Sequence, residues 1–179
     1  MRWHPVKTPK DPDFELLFQL YQSSFPIYEQ RTREKQEQIL SHPAYTCWAL
    51  EEGDSFAGLM GLWEGEGFYY VEHFAVRPDL RGQRLGGRAL EQLIARGKPV
   101  VLEIDPPEDQ VSRRRQGFYE CCGFCANPWP HVHPPYRAGY QGHPLVVMTC
   151  PEPWSRTQYE TFAAFLRHTV MADCGCPDK

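Results

Sequence analysis

Apolar residues along the chain follow two rhythms, one of period near 3.6 and one of period two, and the changes between them mark the elements. Trp3 to Val6 predicts a first strand. Asp11-Pro12-Asp13 supplies capping and first-turn residues for a helix in which Phe14, Leu17, Phe18 and Tyr21 recur at helical spacing until Pro26 interrupts it. Residues 29–41 are strongly charged with few apolar anchors, which predicts an exposed helix free to move as a lid. The rhythm then shortens. Tyr45–Leu50, Phe56–Trp63 and Phe68–Val76 are β-branched and aromatic runs separated by turn clusters, an antiparallel meander. Pro78 ends the third run, and RGQRLGG leads into a helix with Leu85, Leu90, Leu93 and Ile94 on its apolar side. Gly97-Lys98-Pro99 stops that helix, and Val100–Ile104 is a short buried strand closed by Pro106-Pro107. Gln110–Cys121 predicts a helix, Phe124–Ala126 a strand, residues 127–143 a long loop, and Leu145–Thr149 a last strand. Ser155 and Gln158 form a capping-box pair that opens a final helix carrying Tyr159, Phe162, Phe165, Leu166 and Val170. The order predicts one α/β (α+β) domain with a mixed, mostly antiparallel central sheet flanked by helices.

Length and composition narrow this picture. The 179 residues are enough to bury one core, and 41% hydrophobic with 13% aromatic residues is a globular composition. A net charge of −4 argues against nucleic acid as a partner. Neither end reads as a signal and no apolar run approaches a membrane span, so a soluble, cytoplasmic protein with no membrane partner is expected. The seven cysteines are odd in number and irregular in spacing, which argues against a disulfide framework. Cys47 reads as a small core hydrophobe, and Cys174 and Cys176 lie in a tail expected to fray. Cys122-x2-Cys125 followed by His131-x-His133 offers four soft ligands, but Gly123-Phe124 between them reads as a helix end entering a strand. No metal is expected.

Chemistry concentrates in residues 68–90, FYYVEHFAVRPDLRGQRLGGRAL. A hydrophobic strand ends at a proline, and a turn with three glycines feeds directly into a helix. Unpaired N–H groups and the positive end of the helix dipole at such a start suit phosphates, and Arg81, Arg84 and Arg88 add positive charge. The bland alternative is a solvated basic turn. No Gly-Lys-Ser/Thr follows, so it is not a P-loop, and the flanking meander excludes a dinucleotide fingerprint.

The stretch HFAVRPDLRGQRLGGRALEQLI resembles motif A of the GNAT superfamily of N-acetyltransferases, and FYECCGF at 118–124 resembles that family's later helix-to-strand signature. The resemblance covers nearly all of residues 3–150. It implies a GNAT-like domain over 1–152, with the 153–179 helix and tail packed on the same domain or at a homodimer contact. It further implies acetyl-CoA as co-substrate, its pyrophosphate on the backbone of Arg81, Gly82, Gln83, Arg84, Leu85, Gly86 and Gly87. Arg84 stands where the family's turn has its first glycine. By the same resemblance the backbone of Phe74, Ala75 and Val76 pairs with pantetheine like an added strand, and Ser112 occupies a position where the family often has a pantetheine-contacting Asn.

Transfer to an amine needs a base, an oxyanion donor and an acid for the thiolate. Period-two spacing places Tyr70, Glu72, Phe74 and Val76 on one face and His73 on the other. Glu72 is then the expected base, its pKa raised by Tyr70 and Phe74 around it, with Glu103 its rival and a structural salt bridge the alternative role. The resemblance assigns Tyr119 as the acid. An acyl-cysteine route through Cys121 or Cys122 lacks an activating base. Trp129, His131, His133, Tyr136 and Tyr140 either contact the acceptor or pack the loop, and Glu64, Glu66 and Glu72 favour a cationic acceptor, a small-molecule or peptide amine. The competing classes are a non-catalytic acyl-CoA sensor and a zinc-stabilised interaction module.

Overall fold

The computed structural model describes residues 1–174; Cys176 lies outside them. Nine strands and five α-helices appear in the order β1 (Arg2–Val6), α1 (Phe14–Ser24), α2 (Arg33–Ile39), β2 (Tyr45–Glu52), β3 (Ser55–Gly65), β4 (Phe68–Val76), α3 (Leu85–Ile94), β5 (Val100–Ile104), α4 (Gln110–Cys121), β6 (Cys125–Ala126), β7 (Val132–His133), β8 (His143–Pro144), β9 (Val146–Cys150) and α5 (Arg156–Phe165). The main sheet has seven strands in the order β1-β2-β3-β4-β5-β9-β6. All neighbours are antiparallel except β4 and β5, which run parallel across the α3 crossover. The mixed, mostly antiparallel sheet agrees with the sequence reading. No helix among the described residues is long and apolar enough to cross a membrane.

Each sheet face buries its own cluster. Phe14, Leu17, Phe18 and Tyr21 of α1 pack with Phe162, Leu166 and Val170 against Phe68, Tyr70 and Ala75 of β4. On the opposite face Ala89, Leu90 and Leu93 of α3 and Tyr119 of α4 cover Val71, Leu102 and Met148. The C-terminal helix is therefore part of the first core layer. Its start is fixed by the Ser155–Gln158 capping box, and Asp109 with Ser112 forms the same device at α4. Cys47 is in the core, but Cys174 is also buried, against the expectation of a frayed tail.

Two features depart from the sequence reading, and both shape the site. Residues 29–41 are no loose lid: the helix is confined to Arg33–Ile39, and Gln30, Arg31, Gln36, Ile39 and Leu40 are buried. The charge pattern misled because Arg31, wholly buried, finds its partner inside the protein. Strand β4 also breaks the period-two rule. Val71 pairs with Leu62 and His73 with Gly61, so Glu72 is an extra residue in a β-bulge. Beyond it the faces exchange: Tyr70 and Ala75 lie in one cluster while Phe74 packs against the other. His73, placed opposite Glu72 by strict alternation, instead sits on the α1 side against Tyr21 and Phe25.

Candidate active site

The parallel pairing of β4 with β5 ends at Val71 and Leu102, so the rest of β4 diverges from β5. A groove of about 1150 Å³ runs through this splay. At one end lies the 81–88 turn, in the middle Phe74, Ala75, Val76, Phe118 and Tyr119, and at the other end Tyr28, Glu29, Glu103 and Asp105.

The turn end is built from backbone. Arg81 N–H donates to Pro78, and the next intrachain amide bond is Arg88 N–H to the Arg84 carbonyl. Among the described residues the amides of Gly82, Gln83, Arg84, Leu85, Gly86 and Gly87 find no protein acceptor. A run of free amides at the positive end of α3 is an anion seat. Gly82 at φ +80° makes the turn possible. Arg84, the N-cap of α3, has φ 59° and is the one non-glycine residue among those described in the left-handed region. Position 84 therefore demands a conformation that glycine adopts without strain, and the arginine holds it at a cost of about 1–2 kcal/mol. Arg88, expected to face the ligand, is engaged by Glu52 at 2.8 Å. Arg81 and Arg84 line the groove and make no salt bridge among the described residues. If the Arg84 guanidinium compensates for the strained backbone, Arg84→Gly and Arg84→Ala should each weaken acetyl-CoA about 3–10-fold by calorimetry, less at high salt. Wild-type affinity in Arg84→Gly would assign the position to backbone shape alone.

Ser112 does not line the groove. It is buried, with its hydroxyl 2.9 Å from Asp109 Oδ1 in the α4 capping box. Tyr119 does line it. Burial pushes the Tyr119 phenol up to about 12, so it stays protonated at neutral pH.

Glu72 faces the splay from the bulge but is not a free carboxylate. Its side chain is fully buried, Arg31 forms an ion pair with Oε1, and Trp63 Nε1 donates to Oε2 at 2.8 Å. Burial alone would raise its pKa, but the Arg31 guanidinium and the neighbouring His73 outweigh that and hold it well below the usual carboxylate range. The expected upward shift is thereby reversed. Arg31 also donates to the Val170 carbonyl at 2.7 Å and lies 5.2 Å from the Tyr136 ring centroid. The group that reverses the shift was hidden in the charged run at 29–41.

Glu103 is also occupied. Tyr70 donates to Oε2 and His131 pairs with Oε1; with His133 nearby these outweigh burial and keep its pKa below the usual value. Glu29 behaves oppositely, its pKa raised by burial and by Asp105. Glu64, by contrast, is exposed and pairs with Lys98 at 2.5 Å, Glu72 is buried against Arg31 and Trp63, and neither Glu64 nor Glu66 lines the groove, so the expected acidic cluster of Glu64, Glu66 and Glu72 does not form there. The acidic end consists of Glu29, Glu103 and Asp105 instead. Glu29 and Asp105 carry no sequence signal beyond following a proline break and ending a strand.

Within the 127–143 loop, Trp129 stacks on Tyr159, and His131, His133 and Tyr136 are buried, while Tyr140 is exposed. Cys122, Cys125, His131 and His133 do not converge. The histidines turn to Glu103, and Cys125 Sγ lies 3.9 Å from the Pro151 carbonyl.

Comparison with known proteins places this groove in context. The family of acetyltransferases (GNAT) matches residues 14–124. YjbC of Bacillus subtilis (strain 168), which bears the name of an acetyltransferase, is 30% identical over 98 residues, 54% of this chain and 50% of that protein. The chain thus matches about half the length of that curated relative. A GNAT-family structure from Bacteroides thetaiotaomicron superposes with a TM-score of 0.89 at 29% identity, covering 95% of this chain and 98% of that one. An aminoglycoside 6'-N-acetyltransferase complexed with coenzyme A shares the fold at a TM-score of 0.57 and 16% identity, covering 87% and 99%. A splayed β4–β5 pair, free amides at the start of α3 and a family match through both elements lead to one conclusion: the chain belongs to the GNAT acetyltransferase family.

Proposed function

We propose that the protein transfers an acetyl group from acetyl-CoA to a primary amine of a small molecule or peptide by direct attack. The observation that carries this reading is the continuity of one groove from free amides to carboxylates, with Tyr119 between them. A phosphate-bearing donor suits the amide end, and a cationic acceptor suits the end lined by Glu29, Glu103 and Asp105. The solved relative named for aminoglycosides acts, by its name, on such an amine. In this reading acetyl-CoA supplies the activated acyl group. The amides of 82–87 and the backbone of Phe74 to Val76 hold the donor, and Tyr119 protonates the departing thiolate. Glu72, fully engaged by Arg31 and Trp63, positions the bulge rather than exchanging protons.

Thiol release from acetyl-CoA with a panel of ethanolamine, spermidine, lysine and an alanyl peptide tests the reading. At least one amine should accelerate release well above hydrolysis. Tyr119→Phe should lower kcat with that amine by roughly 10²-fold while leaving acetyl-CoA affinity nearly unchanged. Alkaline pH should not restore it, because the missing function is proton donation. Binding without any release would make the protein an acyl-CoA sensor.

A further inference from the structure

Between the strand splay and the β7–β8 hairpin lies a cavity of about 60 Å³ that shares Glu29, Glu72, Glu103 and Asp105 with the main groove. Three histidines around it keep a ring nitrogen without a hydrogen-bond partner: His73, His133 and His143. At His73 the carboxylate opposite, Glu72, is already held by Arg31 and Trp63. His133 is 1% exposed, and its Nδ1 lies 2.6 Å from the Pro134 carbonyl. A carbonyl has no hydrogen to give, so Nδ1 carries the proton and a neutral ring presents a bare lone pair at Nε2. That Nε2 is buried without a hydrogen-bond partner, 3.8 Å from Glu103 Oε2. Two acceptors face each other, and one added proton would convert them into an imidazolium–carboxylate pair.

We propose that His133, with Glu103 facing its Nε2, takes the proton from the acceptor ammonium. The assignment rests on the amine-transfer reading. An R–NH₃⁺ group in the main groove gives one proton to Nε2 by way of water in the adjoining cavity, and the freed nitrogen lone pair attacks the thioester carbonyl carbon. The carbon–sulfur bond breaks with its electron pair on sulfur. A second proton from nitrogen reaches that sulfur by way of Tyr119, and His133 returns the first to solvent. The balance is amide, free thiol and one proton.

The groups facing His133 suit this task. Glu103 approaches from β5, Glu72 and Tyr70 from β4, His143 from β8 at 5.8 Å between centroids, and Glu29 lies across the cavity. Tyr136 stacks on the ring at 4.7 Å. Burial pushes the His133 pKa down against the pull of Glu103, which keeps the ring neutral and receptive at neutral pH. His143 is the comparator. Its Nε2 lies 3.7 Å from Glu29, but neither ring nitrogen has a hydrogen-bond partner, so no tautomer is fixed.

Two measurements decide the matter. NMR of ¹⁵N-histidine-labelled protein should find His133 as the neutral Nδ1–H tautomer at pH 7.5, and Glu103→Gln should lower its pKa by about one unit. His133→Gln should lower kcat about 10²-fold at pH 7 with whichever panel amine is acetylated, and recover toward pH 9–10, where amines arrive deprotonated. Acetyl-CoA affinity should be unchanged, and His143→Gln should keep the wild-type profile. An Nε2–H tautomer, or a His133→Gln profile matching wild type at every pH, overturns the assignment while leaving amine transfer intact. If no panel amine is acetylated, the amine-transfer reading fails first and takes the assignment with it.

Discussion

Acetyl-CoA binding should be lost when Gly86 is replaced by aspartate. A Cβ at position 86 would stand 3.2 Å from Phe118 Cζ and 3.7 Å from Phe74 Cζ, so the aromatic wall must give before any side chain fits. The carboxylate would then lie beside the amides that await an anion, satisfying them internally and repelling pyrophosphate. Wild-type protein at 100 times the dissociation constant should gain about 2.7 kcal/mol, roughly 5–10 °C in melting temperature for a chain of this size. Gly86→Asp should show no shift and no calorimetric heat. Gly86→Ala, which adds the crowding without the charge, should fall between. A full thermal shift in Gly86→Asp would remove the turn from the phosphate site.

Arg31→Met should destabilise the fold by about 3–5 kcal/mol, because it leaves the Glu72 carboxylate buried without its cation. Both side chains are fully buried, so solvent cannot replace the lost partner. The pH dependence provides the sign. In wild type the folded pKa of Glu72 is depressed, so its stabilisation is present above the unfolded value and fades only as pH falls toward the folded one. In Arg31→Met the folded pKa rises above the unfolded value. The penalty is then largest at neutral pH and shrinks in acid as Glu72 takes up a proton. Urea denaturation at pH 5 and pH 8 should show the smaller loss at pH 5. The Arg31→Met/Glu72→Gln pair should recover much of the stability, and a cycle with the single variants measures the coupling. A loss of under 1 kcal/mol in Arg31→Met would mean that the pair contributes no more than a surface contact.

Much of the architecture was legible because local signals agreed with tertiary ones. The capping box at Ser155, the proline after β4 and the meander turns act within a few residues. The turn of free amides at 82–87 was legible for the same reason: its glycines and its helix start are contiguous. What alternation could not show was the bulge at Glu72, since one extra residue in β4 is defined only by its pairing with β3. That single residue exchanged the faces of His73 and Phe74. Arg31 was illegible for a related reason. A cation among many in a polar run looks solvated unless its partner, 41 residues away, is known. The acceptor end was the hardest to read, because Glu29, Glu103 and His133 come from three separate elements and meet only across the splay.

The bond from Arg31 to the Val170 carbonyl has a consequence for biogenesis. It spans 139 residues, joining the segment before α2 to the helical turn that follows α5. During synthesis from the N-terminus, Arg31 and Glu72 emerge long before the segment that covers them, and until then the first core layer lacks Phe162, Leu166 and Val170. Burial of the Arg31–Glu72 pair should therefore wait until residues 156–170 have left the ribosome. A nascent chain halted before residue 156 would hold the 81–88 turn but leave the apolar layer that Phe162, Leu166 and Val170 cover open to a chaperone or protease.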